Sequence, residues 1–485
     1  MVFAWTSALV LLAVFTANGN SSKASSTAKS GPTMTATTDI HMAGTCRRQT
    51  ALAGDDNTAT CSLIVDEFSA AKTNQWAPWT HKPVCTDAYR AGAGGKKVRL
   101  QQFCVFTDAT FRGGRGISVI AAPHAAAAMA HALDDSGIPA RLRDHVSTPL
   151  AGDPAFEHGP IREDGTGNAF AVQDIPGQGK GVVAARKIKK GEVVFVDYVT
   201  VLSQNTFSAH DDMSTLGIED TGKADEGQIM QLLQVAVAQL PATQQTKVHA
   251  LAHSLGGERI RDILRTNVFG GITIADASYI GLFPLGSRVN HNCQPNTYWR
   301  YTPGYLSQEV IAMRDIEPGE EVTHSYIPLG IVHDERQQKM RSWGFNCTCS
   351  LCAAPENKRL LADQRRRRLL AIHTELVAFG NEDPDTATTE VDRGAKRLGE
   401  MTDEMLFLIE KEETWPLLCD YYPAVTRAYL AIDDVVRARQ HWQNADEAWA
   451  TYGGEQHEFA DELKELNLEI AAQEKLMAGS GSSSR

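Results

Sequence analysis

The chain has 485 residues, 42% hydrophobic and 22% charged, with 47 Lys and Arg against 59 Asp and Glu for a net charge of −12. That length allows several domains, and the composition is ordinary for a globular protein. The acidic balance argues against a broad phosphate-binding footprint, so no direct nucleic-acid binding is expected. One basic run, the arginines at 365–368, falls in a helical pattern and reads as a solvated helix face.

Residues 8–17 are apolar and end in small side chains, with no Lys or Arg ahead of them. The length fits the core of a secretory leader and is too short to cross a bilayer. A signal peptide over 1–19 is therefore expected, and no transmembrane span. Residues 20–44 are small and polar and read as a linker unable to bury a core. Residues 45–150 hold Cys46, Cys61, Cys85 and Cys104, with Trp76 and Trp79. Four cysteines without C-x-x-C spacing behind such a leader point to two disulfides, in any of three connectivities. This stretch reads as a stapled N-terminal module without a catalytic constellation. Residues 123–132 are alanine-rich and helical in character.

From residue 168 the pattern turns to strand, in runs at 170–175, 181–188 and 193–202. Turn signals at Pro176-Gly177-Gln178-Gly179-Lys180-Gly181 and Lys189-Lys190-Gly191 separate them. Residues 203–266 switch to helical spacing, with Ile229, Leu232, Leu233, Val237 and Leu240 on one stripe. Strand character returns at 271–275, 310–313 and 321–327. Residues 357–478 are helical, with Leu361, Leu369, Ile372, Leu376 and Phe379 marking one apolar face, and Tyr429, Ile432, Val436, Trp442 and Trp449 later ones. Antiparallel helix pairs are expected there, although no repeat period is clean.

The chemistry concentrates in Asn290-His291-Asn292-Cys293-Gln294-Pro295-Asn296 and Cys347-Thr348-Cys349-Ser350-Leu351-Cys352. Cys293, Cys347, Cys349 and Cys352 offer the four thiolates of a closed, structural Zn²⁺ site. Taken singly, Gly179-Lys180-Gly181 is a turn and Tyr326 a strand-end tyrosine. In order along the chain come Gly179-Lys180-Gly181, the Asn-His loop, Pro318-Gly319-Glu320-Glu321-Val322-Thr323-His324-Ser325-Tyr326 and the cysteine cluster. This order resembles the SET-domain protein-lysine methyltransferases, in the SET-and-MYND type and related fungal SET proteins. The resemblance covers 168–352. The cysteines of a MYND finger are missing from the insertion.

The resemblance implies an α+β fold. A β-rich SET domain (β-clip, pseudoknot) spans 168–345 with a helical insertion at 203–266. A post-SET zinc cluster follows at 346–353, then a C-terminal α-helical domain over 357–478. It implies methyl transfer from S-adenosylmethionine to a lysine ε-amine of a protein or peptide. The rival reading is a catalytically silent SET module that binds peptide or protein as a scaffold. By the same resemblance, Tyr326 is catalytic and contacts the cofactor. Gly179, Lys180, Gly181, Asn267, Asn290, His291 and Phe345 bind the cofactor. Phe269 and Trp343 wall the lysine channel. A leader implies the secretory pathway, whereas the SET resemblance implies nucleus or cytoplasm. The sequon at Asn346 falls in the zinc–cofactor corner, where a glycan would disrupt the site.

Overall fold

The computed structural model describes residues 76–91, 97–133, 169–204, 226–274, 277–380, 391–453 and 460–480. The expected leader and linker, with Cys46 and Cys61, lie outside the described residues.

Three sheets form the β-rich part. The largest has six strands: β1 (Val84–Ala91), β2 (Lys97–Asp108), β3 (Ile117–Ala121), β7 (Val201–Gln204), β9 (Ala277–Leu282) and β8 (Val268–Ile274), in that spatial order. A four-stranded sheet runs β10 (Asn290–His291), β13 (Glu321–His324), β5 (Gly179–Ala184), β4 (Phe170–Ile175). The third runs β11 (Thr297–Thr302), β12 (Ser307–Ala312), β6 (Val193–Tyr198).

The sequence sets residues 45–150 apart as a module. In the structure β3 pairs with β7 in parallel, Val119 opposite Leu202, so the described part of that segment shares a sheet with later strands. Its core is also shared: Phe106, Phe111, Ile117 and Val119 pack with Tyr198, Leu202, Tyr279 and Phe283. Cys85 and Cys104 sit opposite each other on β1 and β2 and form a disulfide, consistent with one of the three connectivities. Helix α1 (Pro123–Met129) buries its alanines against this core.

The strand run expected at 193–202 is two strands in two sheets. At the break the Val199 N–H donates to Leu306 O and the Thr200 N–H to Leu282 O, so the chain changes partner there. The described part of the insertion, from residue 226, is helical, with α2 (Glu226–Ala238), α3 (Ala242–His249) and α4 (Arg259–Asn267). The Glu258 carboxylate caps α4 by accepting from the Arg261 N–H at 3.0 Å. Leu232, Leu233, Val237 and Leu240 are buried as the stripe predicts.

After α5 (His333–Arg341) and the cysteine loop, the described residues are mostly helical: α6 (Glu356–Gly380), α7 (Val391–Glu412), α8 (Leu418–Ala431), α9 (Val435–Tyr452) and α10 (Ala460–Ser480). Leu369, Ile372 and Leu376 of α6 pack with Leu398, Met401 and Met405 of α7 and with Val425 and Tyr429 of α8. Leu361 and Val436, expected on apolar faces, are instead exposed; Leu361 lines an open groove with Leu351 of the cysteine loop and Glu412 of α7. Arg300 of β11 ties this region to the sheets by donating to Ala450 O and Thr451 O, at 2.7 and 2.8 Å. These are terminal carbonyls of α9 that its own ladder leaves free. Among the described residues no helix is long and apolar enough to cross a membrane.

Candidate functional site

The site forms where the Asn-His loop meets the strand that ends at Tyr326. β10 lies parallel to β13, with Asn290 opposite Thr323 and His291 opposite His324. Between them the chain leaves through β11 and β12 and returns. Asn296 fixes the return: its Oδ1 accepts from the Thr323 N–H and its Nδ2 donates to Glu321 O, both at 2.8 Å. The short side-chain amide suits this, since one group must both donate and accept.

His291 is buried and links two functional segments. Its Nδ1 accepts the Tyr326 backbone N–H at 3.0 Å. That contact places the ring proton on Nε2, which lies 3.2 Å from Cys293 Sγ and donates to it. Burial pushes the His291 pKa down to about 4, so the ring is neutral at neutral pH. The Tyr326 hydroxyl donates to Val289 O at 3.0 Å. Burial, and then the Glu321 charge, raise its pKa above the ordinary range, so it remains a neutral phenol. With its proton committed to Val289, the oxygen keeps lone pairs for another donor.

Aromatic rings surround this hydroxyl-bearing ring. Trp343 lies 5.1 Å from Tyr326 between centroids, and His324 lies 5.2 Å away, edge-on. Phe269 continues the wall, 5.5 Å from His324 and 5.1 Å from Trp299. Phe269 and Trp343, expected as channel residues, are thus brought to the same wall as Tyr326. Sequence reading gave no role to Trp299 or His324. His324 stood inside the quoted motif, and a histidine on the buried face of a strand was the available signal. Its Nδ1 is buried without a partner, and burial, then His291, lower its pKa to about 3.

The four cysteines converge. Their sulfurs lie within 4.8 Å of one another, with Cys293 3.7 Å from Cys347 and 3.5 Å from Cys352. None of the four is in a disulfide. Four thiolates around one tetrahedral ion at about 2.3 Å stand about 3.8 Å apart, so the spacing fits a metal. The protonation pattern fits too. Hydrogen bonds from the other three sulfurs hold Cys349 below the ordinary thiol range, while the same contacts push Cys293 up. Four sulfurs so close share too little positive charge to ionise together, and a bound cation removes that conflict. Gln337 on α5 frames the cluster: its side-chain amide donates to Cys347 O at 2.9 Å and accepts from the Cys347 N–H at 3.1 Å.

The expected cofactor residues are placed as follows. Gly181 leaves no room for a side chain: a Cβ there would sit 2.8 Å from both Asn290 Nδ2 and Glu321 Oε1. Gly179 has φ +80°, a conformation that favours glycine. Asn290 Nδ2 donates to Glu321 Oε1 at 2.8 Å. Gly179, Gly181 and Asn290 are therefore gathered beside β13. Phe345 is 41% exposed, an aromatic face left open next to the cysteines. Lys180 points outward and pairs with Asp174 at 3.2 Å on the surface. Asn267 is buried and spends both amide hydrogens on Ala252 O and Ile263 O, at 2.7 and 2.6 Å, leaving only its oxygen for a ligand. The loop it holds touches the Trp343 segment, where Ser254 Oγ donates to Trp343 O at 3.4 Å.

The arginine run at 365–368 is not a solvated face. Arg366 is 1% exposed. Arg365 and Arg368 pair with Glu412 and Glu404, and only Arg367 faces outward. The physical reason is register: α6 turns residues 362, 366 and 369 inward together, toward α7 and the cysteine loop.

The comparisons with known proteins agree with this geometry. Residues 179–327 match the SET domain family, which defines the class of fold and site. Histone-lysine N-methyltransferase set5 of Schizosaccharomyces pombe is 31% identical over 204 residues, 41% of this chain and 56% of that protein. N-lysine methyltransferase SMYD2 of Gallus gallus is 42% identical over 91 residues, 18% of this chain and 20% of that protein. Its counterpart in Homo sapiens is 37% identical over 101 residues, 20% of this chain and 23% of that protein. The chain thus spans about half the length of the yeast relative and about a fifth of the vertebrate ones. Residues 179–327 thus carry a SET domain, and the chain is similar over this region to proteins named as lysine methyltransferases.

Proposed function

We propose that the chain transfers a methyl group from S-adenosylmethionine to the ε-amine of a lysine in a protein or peptide, at Tyr326. The observation that carries this reading is the neutral Tyr326 phenol, its backbone held by His291 and its ring flanked by Trp343 and His324, with Phe269 packed behind His324. When bound, S-adenosylmethionine supplies a methyl group on a cationic sulfur. Gly179, Gly181, Asn290 and the open ring of Phe345 are the residues that would hold it, and the Asn267 oxygen is the remaining acceptor. Lys180, paired on the surface, contributes through its backbone.

The protein's own part is orientation and exclusion of water. The Tyr326 oxygen accepts an N–H of the incoming amine and sets its lone pair in line, since its own proton is occupied at Val289. Exclusion of water between the walls disfavours the strongly hydrated ammonium form, which promotes loss of the lysine proton before transfer. The same rings stabilise a methylated ammonium product by cation–π attraction. The thiolate cluster takes Zn²⁺ with no open position, so its role is structural. Names of the relatives support a protein substrate; the particular protein and the methylation state follow from measurement.

Incubating the zinc-loaded chain with methyl-labelled S-adenosylmethionine and a lysine peptide pool tests this directly. Label is expected on lysine with wild type and is lost by at least about a hundredfold in Tyr326→Phe, in the range of a positioned catalytic group. Binding of the cofactor with no transfer to any lysine would contradict the enzyme reading.

A further inference from the structure

The helices after the cysteine cluster reach into it. Arg366 of α6 is buried, and its Nη2 donates to the backbone oxygen of Cys293 at 3.3 Å. Its Nη1 donates to Ile331 O at 3.2 Å, and its Nε pairs with Glu412 Oε2 of α7 at 2.8 Å, both partners 1% exposed. Arg336 of α5, also 1% exposed, donates to Ile331 O at 2.8 Å and stands 3.5 Å from Asp363 of α6. Its buried Nε and Nη2 meet no full hydrogen-bond acceptor, and the guanidinium faces the sulfurs of Cys352 and Cys293.

A tetrathiolate zinc centre carries a net charge of −2, and enclosing that charge in protein costs several kcal/mol unless cations lie nearby. Arg336 and Arg366 are two buried guanidiniums beside the sulfur loops. We propose that they form the positive shell of the metal centre, and that α6 and α7, through the Arg366–Glu412 pair, are positioning elements for the Cys293 loop. Donors left open on Arg336 find their acceptors in fully ionised sulfurs. The region after residue 356 is then part of the metal centre, and so of the walls carrying Asn290 and Phe345. This inference rests on the zinc reading of the four cysteines.

The test is zinc retention, read as the rate of release to a chromophoric chelator from the full-length chain. Arg366→Gln is compared with Arg367→Gln, its exposed neighbour. Outer partners of metal ligands typically change metal affinity by 10–100-fold, so Arg366→Gln is expected to release zinc at least about tenfold faster while Arg367→Gln matches wild type. Arg366→Gln leaves the buried Glu412 carboxylate with Arg365 alone and is at risk of unfolding. The double variant Arg366→Met with Glu412→Leu removes both fully buried charges and leaves only the part-exposed Arg365 to turn to solvent. With wild-type helix content by circular dichroism, it is expected to show the same fast release. A folded double variant that holds zinc as slowly as wild type overturns the inference while leaving the zinc reading intact. A wild-type chain that takes up no zinc overturns the zinc reading and this inference with it.

Discussion

The backbone N–H of Tyr326 is held by His291 Nδ1 at 3.0 Å. The same ring presents Nε2–H to Cys293 at 3.2 Å. One buried imidazole therefore joins the proposed metal centre to the proposed catalytic residue. Replacing His291 by Phe removes both bonds and leaves a part-buried N–H unsatisfied, a loss of about 1–3 kcal/mol for that group alone. Denaturant unfolding of His291→Phe is expected to show a loss of this size, together with faster zinc release. A variant as stable as wild type that also retains its metal would contradict the link.

Gly181→Ala places a methyl group 2.8 Å from Asn290 Nδ2 and from Glu321 Oε1, and 2.5 Å from Ile175 Cγ1. Something must move, and Asn290 and Glu321 are bonded to each other. Calorimetric titration is expected to show S-adenosylmethionine affinity reduced by about tenfold or more, from about 1–3 kcal/mol of overpacking. Unchanged affinity would mean that the Asn290 side chain does not shape the cofactor site.

His324 provides a pH dependence. Its buried pKa of about 3 lies well below the value near 6.5 of an unfolded histidine. The unfolded chain binds this proton more readily, so the stability contribution is complete above pH ~6.5 and declines as pH falls toward 3. Each unit in that window costs about 1.4 kcal/mol, or about 2 kcal/mol at pH 5. His324→Phe, which cannot protonate, is expected to lose about 2 kcal/mol less than wild type between pH 7 and pH 5. Parallel losses in urea unfolding would refute the assignment.

Chelation separates the two walls. Cys293 follows Asn290 and His291, whereas Cys347, Cys349 and Cys352 follow Trp343 and Phe345. Stripping zinc is expected to lower the melting temperature and abolish S-adenosylmethionine binding, with both restored on zinc addition. Cofactor binding that survives chelation at full strength would show the walls to be held by other contacts.

Much of this site was legible in the residues, because its parts are short and chemically distinctive. Asn290, His291, Tyr326 and the four cysteines were all placed together from motif order. What stayed hidden depended on long-range packing. The pairing of β3 with β7 joins segments some eighty residues apart, and neither strand's composition names its partner. The inward turn of Arg366 is invisible locally, since four successive arginines look alike until α7 supplies Glu412. Likewise Asn267 carries the expected residue type, yet its amide is occupied by backbone carbonyls that only the fold brings near.

The most direct test of the central claim is equilibrium binding of S-adenosylmethionine to the zinc-loaded chain, followed on the same sample by transfer of labelled methyl to lysine peptides. The account predicts saturable binding by wild type, weakened in Asn290→Ala, and label on lysine that requires Tyr326. No binding by the zinc-loaded wild-type chain would contradict it.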